Sequence, residues 1–190
     1  MQLILASTSP YRQKLLAEAK FNFLVVDPVC DESLLPNEPA MALASRLASK
    51  KAQNVFKQYP KSIVIGSDQV AYDGQTILTK PQSVAKAKTQ LELISGKAVY
   101  FYTALTILAP DYAFQHIDTT VVKMRQLTVT EIDNYIRLEP DCINCAGAAK
   151  AEGLGKLLIE EIQAHDPNAL IGLPILSLIK ELKKFNLLAI

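Results

Sequence analysis

The chain has 190 residues, of which 49% are hydrophobic and 21% are charged, and its formal net charge is +1. This length allows one domain with a substantial core, or a compact two-lobed unit. A net charge so close to zero excludes a global field that attracts nucleic acid polymers or membrane surfaces, so phosphate chemistry must use a local cluster of cations. Because no apolar run approaches the length that crosses a bilayer, and Leu3–Ala6 is too short for a signal peptide, we expect a cytoplasmic protein.

Strand and helix patterns alternate along the chain, which indicates a mixed α/β fold in a single domain over residues 1–190. In chain order we predict strands at Leu3–Ala6, 21–26 and 62–65, a hairpin that turns at Asp73-Gly74, and long strands at 98–109 and 114–125. We predict helices near 10–19, 39–57, 83–95 and 128–139, and a last amphipathic helix at 175–185. Periodicity leaves open whether the two long strands pair as a hairpin or extend the main sheet.

The first predicted helix departs from the usual charge preference of a helix N-terminus. That end carries partial positive charge and favours acids, yet the sequence "STSPYRQK" places Tyr11, Arg12 and Lys14 there. The free backbone N–H groups of such a terminus bind anions. These N–H groups, together with the hydroxyls of Ser7 and Ser9, predict a binding site for an anionic ligand.

Lys51 is the second departure from a simple pattern. On the helix predicted at 39–57, it lies close to the middle of the apolar stripe that contains Ala40, Leu47 and Val55. A lysine that extends out of the end of the stripe would explain this position without a function. An inward lysine is costly unless it meets an anion, and we favour the interpretation that it does.

Four further charges stand next to turns or glycines. Asp68 follows "SIVIGS" at the predicted end of a strand, a common place for a catalytic acid in α/β folds. Lys80 lies in "TKP", Glu32 in "CDES" and Glu152 in a loop of small residues, where a backbone can approach a ligand closely. Asp68 alone could be an ordinary turn residue, and the other three could be solvated loop charges. Taken together, however, the cations Arg12, Lys51 and Lys80 and the acids Glu32 and Asp68 suit a polyphosphate with a divalent metal.

Cys142 and Cys145 form a C-x-x-C pair, and Cys30 is the third cysteine. A zinc site needs about four ligands, and a thioredoxin-like pair would sit at a strand-to-helix turn. Because residues 141–153 resemble a glycine- and alanine-rich loop instead, we interpret these cysteines as reduced thiols. A redox or zinc domain remains the alternative.

Taken in order, the segments "LILASTSPYRQKLL", "CDES", "IGSDQV", "TKP", "CAGAAKAEG" and "NALIGLPI" resemble the successive motifs of the Maf-family nucleotide pyrophosphatases. The resemblance runs from residue 3 to about residue 178. It implies an elongated mixed sheet flanked by helices, two lobes with a cleft, a homodimer and a divalent cation such as Mg²⁺ or Mn²⁺. It also implies hydrolysis of a nucleoside triphosphate between the α and β phosphates.

The resemblance assigns roles to the residues noted above. Asp68 is the expected catalytic base, and Glu32 and Asp68 are the expected metal ligands. The residues expected to contact phosphate are Ser7, Ser9, Arg12, Lys51 and Lys80. Tyr11, Gln69 and Glu152 occupy the positions at which the branches of the family differ in substrate.

An aromatic, a glutamine and a glutamate at these three positions resemble the branch that is linked to 7-methyl-GTP, with products 7-methyl-GMP and diphosphate. Methylation at N7 gives guanine a positive charge, which an aromatic face attracts. A carboxylate can accept hydrogen bonds from N1–H and N2–H of guanine together. A pyrophosphatase for dTTP, UTP or other non-canonical nucleotides is the nearest alternative, and a non-catalytic nucleotide-binding regulator of cell division is an alternative of another class.

Overall fold

The computed structural model describes residues 1–187, so the last three residues of the predicted 1–190 domain lie outside the described part. The strands are β1 (Leu3–Ala6), β2 (Leu24–Val25), β3 (Ile63–Tyr72), β4 (Ile77–Leu78), β5 (Ala98–Ala109), β6 (Tyr112–Met124) and β7 (Ile159–Gln163). The α-helices are α1 (Pro10–Glu18), α2 (Ala40–Phe56), α3 (Val84–Ile94), α4 (Val129–Leu138) and α5 (Ile175–Leu182). Short 3-10 turns connect several of these elements.

The seven strands of the described residues join one sheet in the order β2-β1-β3-β5-β6-β7, with β4 paired to β3. β1 runs parallel to β2 and β3, whereas β4 and β7 are antiparallel to the strands they pair with. This mixed sheet with flanking helices confirms the predicted fold class. β5 and β6 are neighbours joined by Pro110 and Asp111, so the two long strands form a hairpin that also extends the main sheet.

The chain forms two compact units. The first unit combines residues 1–69, 103–118 and the segment from Asp166 onward, and the second combines residues 70–102 and 119–165. The first unit therefore contains β1, β2, α1, α2 and α5. The second contains β4, α3, α4 and β7, while β3, β5 and β6 each pass from one unit into the other.

In the first unit, the alternation of side chains along β1 and β3 produces two apolar faces. One face packs with α1 and α5, and its buried residues include Leu3, Leu5, Leu16, Ile63, Ile65 and Leu178. The other face packs with α2, through Ile4, Ala6, Ala52, Val55 and Val64. β3 thus has an α2 face made by its even-numbered residues and an opposite face made by its odd-numbered residues.

Gly66 lies on β3 where the strand packs against the backbone of α2. A Cβ atom on Gly66 would lie 2.3 Å from the backbone oxygen of Ala48 and 2.7 Å from the backbone nitrogen of Ala52. A side chain at this position would therefore force the helix away from the strand. Gly66 therefore lets α2 pack close to β3. Lys51 is next to Ala52 in this part of the helix, and Asp68 lies two residues after Gly66 in the strand.

In the second unit, α3 packs against α4, and Lys88 Nζ lies 2.6 Å from Asp133 Oδ1. α4 begins with a capping box, in which Thr128 and Glu131 each accept a hydrogen bond from the other's backbone N–H. This cap fixes the start of the helix that leads into the loop at 140–155.

Three sequence predictions require correction. The strand predicted at 21–26 is reduced to Leu24–Val25, whose side chains are both exposed. The strand predicted at 62–65 continues through Asp68 to Tyr72, so Asp68 lies inside a strand instead of at its end. β7 was not predicted at all, because "IEEIQ" is exposed and lacks regular alternation. Within residues 1–187, no helix is long and apolar enough to cross a membrane.

Candidate active site

The centre of the candidate site is a buried ion pair between α2 and β3. Lys51 Nζ lies 2.6 Å from Asp68 Oδ1, and the two residues are 6% and 8% exposed. Lys51 extends from the buried stripe of α2, and Asp68 extends from the even-numbered face of β3 that packs on this helix. The predicted inward orientation of Lys51 is confirmed, and the anion that it meets is the carboxylate of Asp68.

Glu32 brings a second carboxylate to the same ammonium group. Its Oε1 atom also lies 2.6 Å from Lys51 Nζ, but its side chain is 58% exposed. Lys51 therefore bridges a buried acid on β3 and an exposed acid on the loop between β2 and α2. This arrangement leaves Glu32 accessible to a ligand while Asp68 stays enclosed by protein.

The electrostatics of the pair suit a base that accepts a proton. Burial raises the pKa of Asp68, and this effect exceeds the lowering by the charges of Lys51 and Arg12. Burial lowers the pKa of Lys51, but the charge of Asp68 and hydrogen bonds to Asp68 and Glu32 outweigh it, so the pKa of Lys51 is raised. A carboxylate with a raised pKa is a stronger base when ionised, and a charged lysine beside it favours the ionised form.

The N-terminus of α1 is capped by a side chain and has no acid in its first turn. Ser9 is its N-cap, and the Ser9 hydroxyl accepts a hydrogen bond from the backbone N–H of Arg12 at 3.5 Å. The buried Ser7 hydroxyl accepts from the backbone N–H of Ser9 and from Arg12 Nη1, at 3.2 and 3.3 Å. Burial lowers the pKa of Arg12, and the charges of Asp68 and Glu32 oppose that shift. Hence the α1 terminus lies within electrostatic reach of the ion pair.

The structure also shows what holds Arg12 in place. Arg12 Nε donates to the backbone oxygen of Gly172 at 2.8 Å, and the Ser67 hydroxyl donates to the same oxygen at 3.0 Å. The sequence analysis assigned no role to Ser67 or Gly172, because a contact across more than 100 residues leaves no local signal. Gly172 itself has a φ of +120°, a conformation that favours glycine.

Two of the predicted specificity residues lie in the first unit. Tyr11 is the second residue of α1 and is half-buried. Gln69 ends the first segment of the first unit, and its side-chain nitrogen lies 2.8 Å from the backbone oxygen of Ala169 and 3.0 Å from that of Leu170. The Gln69 amide is therefore bound to the backbone of the turn that precedes Gly172.

The other two predicted ligand residues, Lys80 and Glu152, lie in the second unit and are both exposed. The charges of both residues act on the thiol of Cys145. Burial raises the pKa of Cys145 to about 11, the charge of Glu152 adds to that shift, and Lys80 opposes it. Lys80 and Glu152 thus share one neighbourhood within this unit.

The loop that carries Glu152 is fixed by side chains that the sequence analysis did not identify. The Tyr135 hydroxyl donates to the Ala148 backbone oxygen at 3.0 Å and accepts from the Lys150 backbone N–H at 3.0 Å. Glu139 Oε1 lies 3.0 Å from Lys150 Nζ, and its Oε2 accepts from the Leu154 N–H at 3.1 Å. Ala148 has a φ of +57°, a strained conformation of the kind found at functional sites. Hydrogen bonds therefore hold the backbone on both sides of Glu152.

The C-x-x-C pair lies in the 3-10 turns of this same loop and carries no disulfide. Cys142 is buried and Cys145 is half-buried. Burial raises the pKa of each thiol, which disfavours the reactive thiolate. This location differs from the strand-to-helix turn that a thioredoxin-like motif requires.

The donor set of the first unit fits a hard divalent cation that also binds the substrate. Mg²⁺ is usually held by one or two carboxylates together with substrate phosphates and water. Glu32 and Asp68 supply two carboxylates that face the same place, where both contact Lys51 Nζ. Among residues 1–187, no group of three or more His, Cys, Asp and Glu side chains could hold a metal, so such a cation would need ligands from the substrate.

Comparison with protein families decides the affiliation of the chain. The family profile described as "Maf-like protein" matches residues 2–185. This chain belongs to the Maf family. The match includes both compact units, and it confirms the resemblance that the sequence motifs indicated.

Similar Maf-family proteins cover nearly the same length. A protein of Xanthomonas axonopodis pv. citri is 46% identical over 184 residues, which is 96% of each chain. A protein of Chromobacterium violaceum is 42% identical over 181 residues, or 94% of each chain. A third, from Albidiferax ferrireducens, is 46% identical over 178 residues, 92% of this chain and 88% of its own. All three relatives are named 7-methyl-GTP pyrophosphatase.

Proposed function

We propose that this protein is a nucleoside triphosphate pyrophosphatase that hydrolyses 7-methyl-GTP to 7-methyl-GMP and diphosphate. The observation that carries the chemistry is the buried Lys51–Asp68 pair, with the accessible carboxylate of Glu32 on the same ammonium group. The choice of 7-methylguanine as the nucleobase is supported by relatives of 42–46% identity that are named for this activity. Tyr11 and Glu152 supply the aromatic face and the carboxylate that a methylated guanine would favour.

In the proposed mechanism, Asp68 is the general base that takes a proton from the attacking water. Because Lys51 bonds Oδ1 of Asp68, we assign this proton to Oδ2. The water oxygen forms a bond to the α phosphorus as the bond to the bridging oxygen breaks, and diphosphate leaves. General base catalysis by a positioned carboxylate contributes about 10²- to 10⁴-fold to the rate.

Cations of the chain stabilise the charge on the leaving diphosphate. Arg12, Lys51 and Lys80 carry this role, and the Ser7 and Ser9 hydroxyls together with the N–H groups at the start of α1 bind phosphate oxygens. A divalent cation held by Glu32 and Asp68 would supply further neutralisation of the triphosphate. The cation, a cytoplasmic location and a homodimer remain predictions from the sequence.

A substrate panel at fixed Mg²⁺ concentration tests this function. We expect faster diphosphate release from 7-methyl-GTP than from GTP, dTTP or UTP, with 7-methyl-GMP as the other product by chromatography. Preference for dTTP or UTP would support the broader pyrophosphatase instead. Nucleotide binding without any product would support the non-catalytic regulator.

The position of water attack has its own test. Hydrolysis in ¹⁸O-labelled water places the label in 7-methyl-GMP if attack occurs at the α phosphorus. Label in the diphosphate would show attack at the β phosphorus and would contradict the mechanism. Mass spectrometry of the two products distinguishes these outcomes.

A further inference from the structure

Of the two proposed metal ligands, only Glu32 lies outside a regular element. It belongs to the loop between β2 and α2, residues 26–39, and its side chain is 58% exposed. Its carboxylate nevertheless lies as close to Lys51 Nζ as the buried carboxylate of Asp68 does, at 2.6 Å. Ordering an exposed loop residue costs conformational entropy, so the backbone on either side of Glu32 must be held if both carboxylates are to bind one cation.

The side chain of Asn54, on α2, holds the backbone that precedes Glu32. Its Nδ2 atom donates to the backbone oxygens of Pro28 at 3.2 Å and of Val29 at 3.0 Å. Val29 has a φ of +33°, an unusual value for a β-branched residue, which persists only where the surrounding structure imposes it. Asp27 Oδ1 adds a contact by accepting from the Val29 N–H at 3.0 Å. The amide of Asn54 therefore fixes a strained backbone three residues before Glu32.

Arg46, about two turns earlier on α2, holds the backbone that follows Glu32. Its Nη2 atom donates to the backbone oxygen of Ser33 at 2.9 Å. Glu38 fixes the guanidinium through a bidentate pair, with its oxygens 2.6 Å from Nε and 2.7 Å from Nη2. The Ser33 N–H in turn donates to Asp31 Oδ1 at 2.9 Å, which makes a tight turn with Glu32 at its centre. Arg46 thus anchors the far side of this turn with donors that are already bonded within the protein.

The two anchors belong to one row of α2. Arg46, Lys50 and Asn54 follow each other at four-residue spacing, which places them along the same ridge of the helix. Lys50 Nζ also donates to the loop, to the backbone oxygen of Asp31 at 2.9 Å. That contact is exposed and made by a flexible side chain, so we assign the positioning to the other two residues. The helix that carries Lys51 therefore also holds the loop whose carboxylate Lys51 contacts.

We propose that Arg46 and Asn54 are positioning residues that keep the Glu32 carboxylate beside Asp68 for the divalent cation. This inference rests on the proposed function, because it takes Glu32 and Asp68 as ligands of that cation. Loss of either anchor leaves Glu32 in the chain but lets its backbone move, so the cation and the triphosphate bind together less tightly. Groups that orient metal ligands typically change metal affinity by about 10- to 100-fold when they are removed.

The test measures how much Mn²⁺ strengthens the binding of a triphosphate that cannot be hydrolysed. The probe is the α,β-methylene analogue of 7-methyl-GTP, in which carbon replaces the oxygen between the α and β phosphorus atoms. It is titrated by calorimetry into the protein with saturating Mn²⁺ and, separately, with EDTA. We expect Mn²⁺ to raise the affinity of the wild-type protein. Asn54→Ala should reduce that gain by about tenfold and leave the affinity in EDTA unchanged.

Control variants separate positioning from a disturbed helix. Alanine forms helices better than asparagine, so Asn54→Ala does not weaken α2 through helix propensity. Gln53→Ala changes the neighbouring exposed residue of α2 and should leave both affinities unchanged. In a Glu32→Gln background, Asn54→Ala should cause no further loss of the Mn²⁺ gain, because both changes act through one carboxylate.

Arg46→Met is the second variant, and it keeps the inference testable if Asn54→Ala does not fold. It should also reduce the Mn²⁺ gain by about tenfold without changing the affinity in EDTA. Arg137→Met is its matched control, because Arg137 is an exposed helix residue whose Nη2 donates to Asn134 Oδ1 on its own helix at 3.2 Å.

A wild-type Mn²⁺ gain that stays unchanged in both variants would overturn the inference alone. Equal losses of affinity with Mn²⁺ and with EDTA would also overturn it, because the two residues would then support the fold or phosphate binding in general. If Mn²⁺ gives the wild-type protein no gain, the proposed cation site is contradicted and the inference fails with it. The response of the wild-type protein therefore distinguishes the two failures.

Discussion

The two compact units build their polar sites in different ways. In the first unit, Lys51 and Asp68 project from a 17-residue helix and a 10-residue strand, and both are buried. In the second unit, Glu152 is exposed on a loop of 3-10 turns, which Tyr135 and Glu139 hold through backbone hydrogen bonds. The first site is fixed by regular elements and close packing, and the second by side chains that bind an irregular backbone.

This difference matches the roles that we propose for the Lys51–Asp68 pair and for the loop that carries Glu152. Phosphate chemistry is common to all nucleoside triphosphates and requires a base and cations in fixed positions, which a packed sheet and helix provide. The family resemblance implies that nucleobase recognition differs between branches, and a loop can change without rebuilding the core. We therefore expect changes at the Lys51–Asp68 pair to affect all substrates equally, and changes near Glu152 to affect the preference among nucleobases.

Asp68→Asn should have the largest effect. It keeps the shape of the side chain but removes the base, so kcat should fall by about 10²- to 10⁴-fold with both 7-methyl-GTP and GTP. Diphosphate release under saturating substrate is the measurement. Turnover near the wild-type rate would remove Asp68 from its proposed role.

Lys51→Met should have the next largest effect. Loss of the ammonium group removes a phosphate ligand, and kcat/KM should fall by about 100-fold for both nucleotides. The variant also leaves the buried Asp68 carboxylate without its partner, which should destabilise the fold by about 3 kcal/mol in urea unfolding. Lys50→Met is the matched control, because Lys50 bonds only the backbone oxygen of Asp31 among the hydrogen bonds described. Equal effects from the two variants would contradict the account.

Glu152→Gln should change selectivity more than rate. Loss of the negative charge should lower the kcat/KM ratio for 7-methyl-GTP over GTP by about tenfold, or 1.4 kcal/mol. Glu160→Gln in the same unit is the control, because Glu160 forms an exposed ion pair with Lys123 among the described residues. If the ratio is unchanged in Glu152→Gln, this loop does not recognise the methylated base.

Glu139→Gln should have the smallest effect, since it acts through the position of Glu152. The hydrogen bond from the Leu154 N–H and that from Lys150 lower the pKa of Glu139. Its ionised form therefore stabilises the folded state above its ordinary pKa of 4.5, and this contribution is lost as pH falls through the lower folded-state value. We expect a Tm a few degrees below wild type at pH 7, with the gap closing below about pH 4.5. The selectivity ratio should fall by about twofold to threefold, because a loosened loop retains its carboxylate.

A constant Tm gap from pH 7 to pH 3.5 would contradict the proposed contribution of the Glu139 charge. An unchanged selectivity ratio would show that the loop does not need this anchor to present Glu152. The exposed Glu160→Gln variant serves again as the control for both measurements.

The sequence predicted the elements whose patterns are local. The apolar stripe of α2 predicted an inward Lys51. The helices predicted near 10–19, 83–95 and 128–139 are present, and they begin at the caps Ser9, Ser83 and Thr128. The extent of β3 was predicted too short, since Gly66 and the polar residues after it interrupt the apolar run. Their polarity belongs to the site, where local rules tend to fail.

Contacts between distant segments could not be predicted from local patterns. The bridge from Lys51 to Glu32 and the Gly172 carbonyl behind Arg12 depend on how the chain folds back over many residues. The resemblance to a family identified residues by type and position but not their partners. Gln69 is the clearest case, because its type is typical of one branch while its amide binds the turn at 169–171.

The most direct test of the account is one kinetic experiment that crosses two substrates with two variants. Diphosphate release from 7-methyl-GTP and from GTP is measured for wild type, Asp68→Asn and Glu152→Gln under identical conditions. The account predicts that wild type prefers 7-methyl-GTP, that Asp68→Asn lowers both rates by the same factor, and that Glu152→Gln reduces the preference by about tenfold. A wild-type enzyme that hydrolyses GTP as fast as 7-methyl-GTP would contradict it.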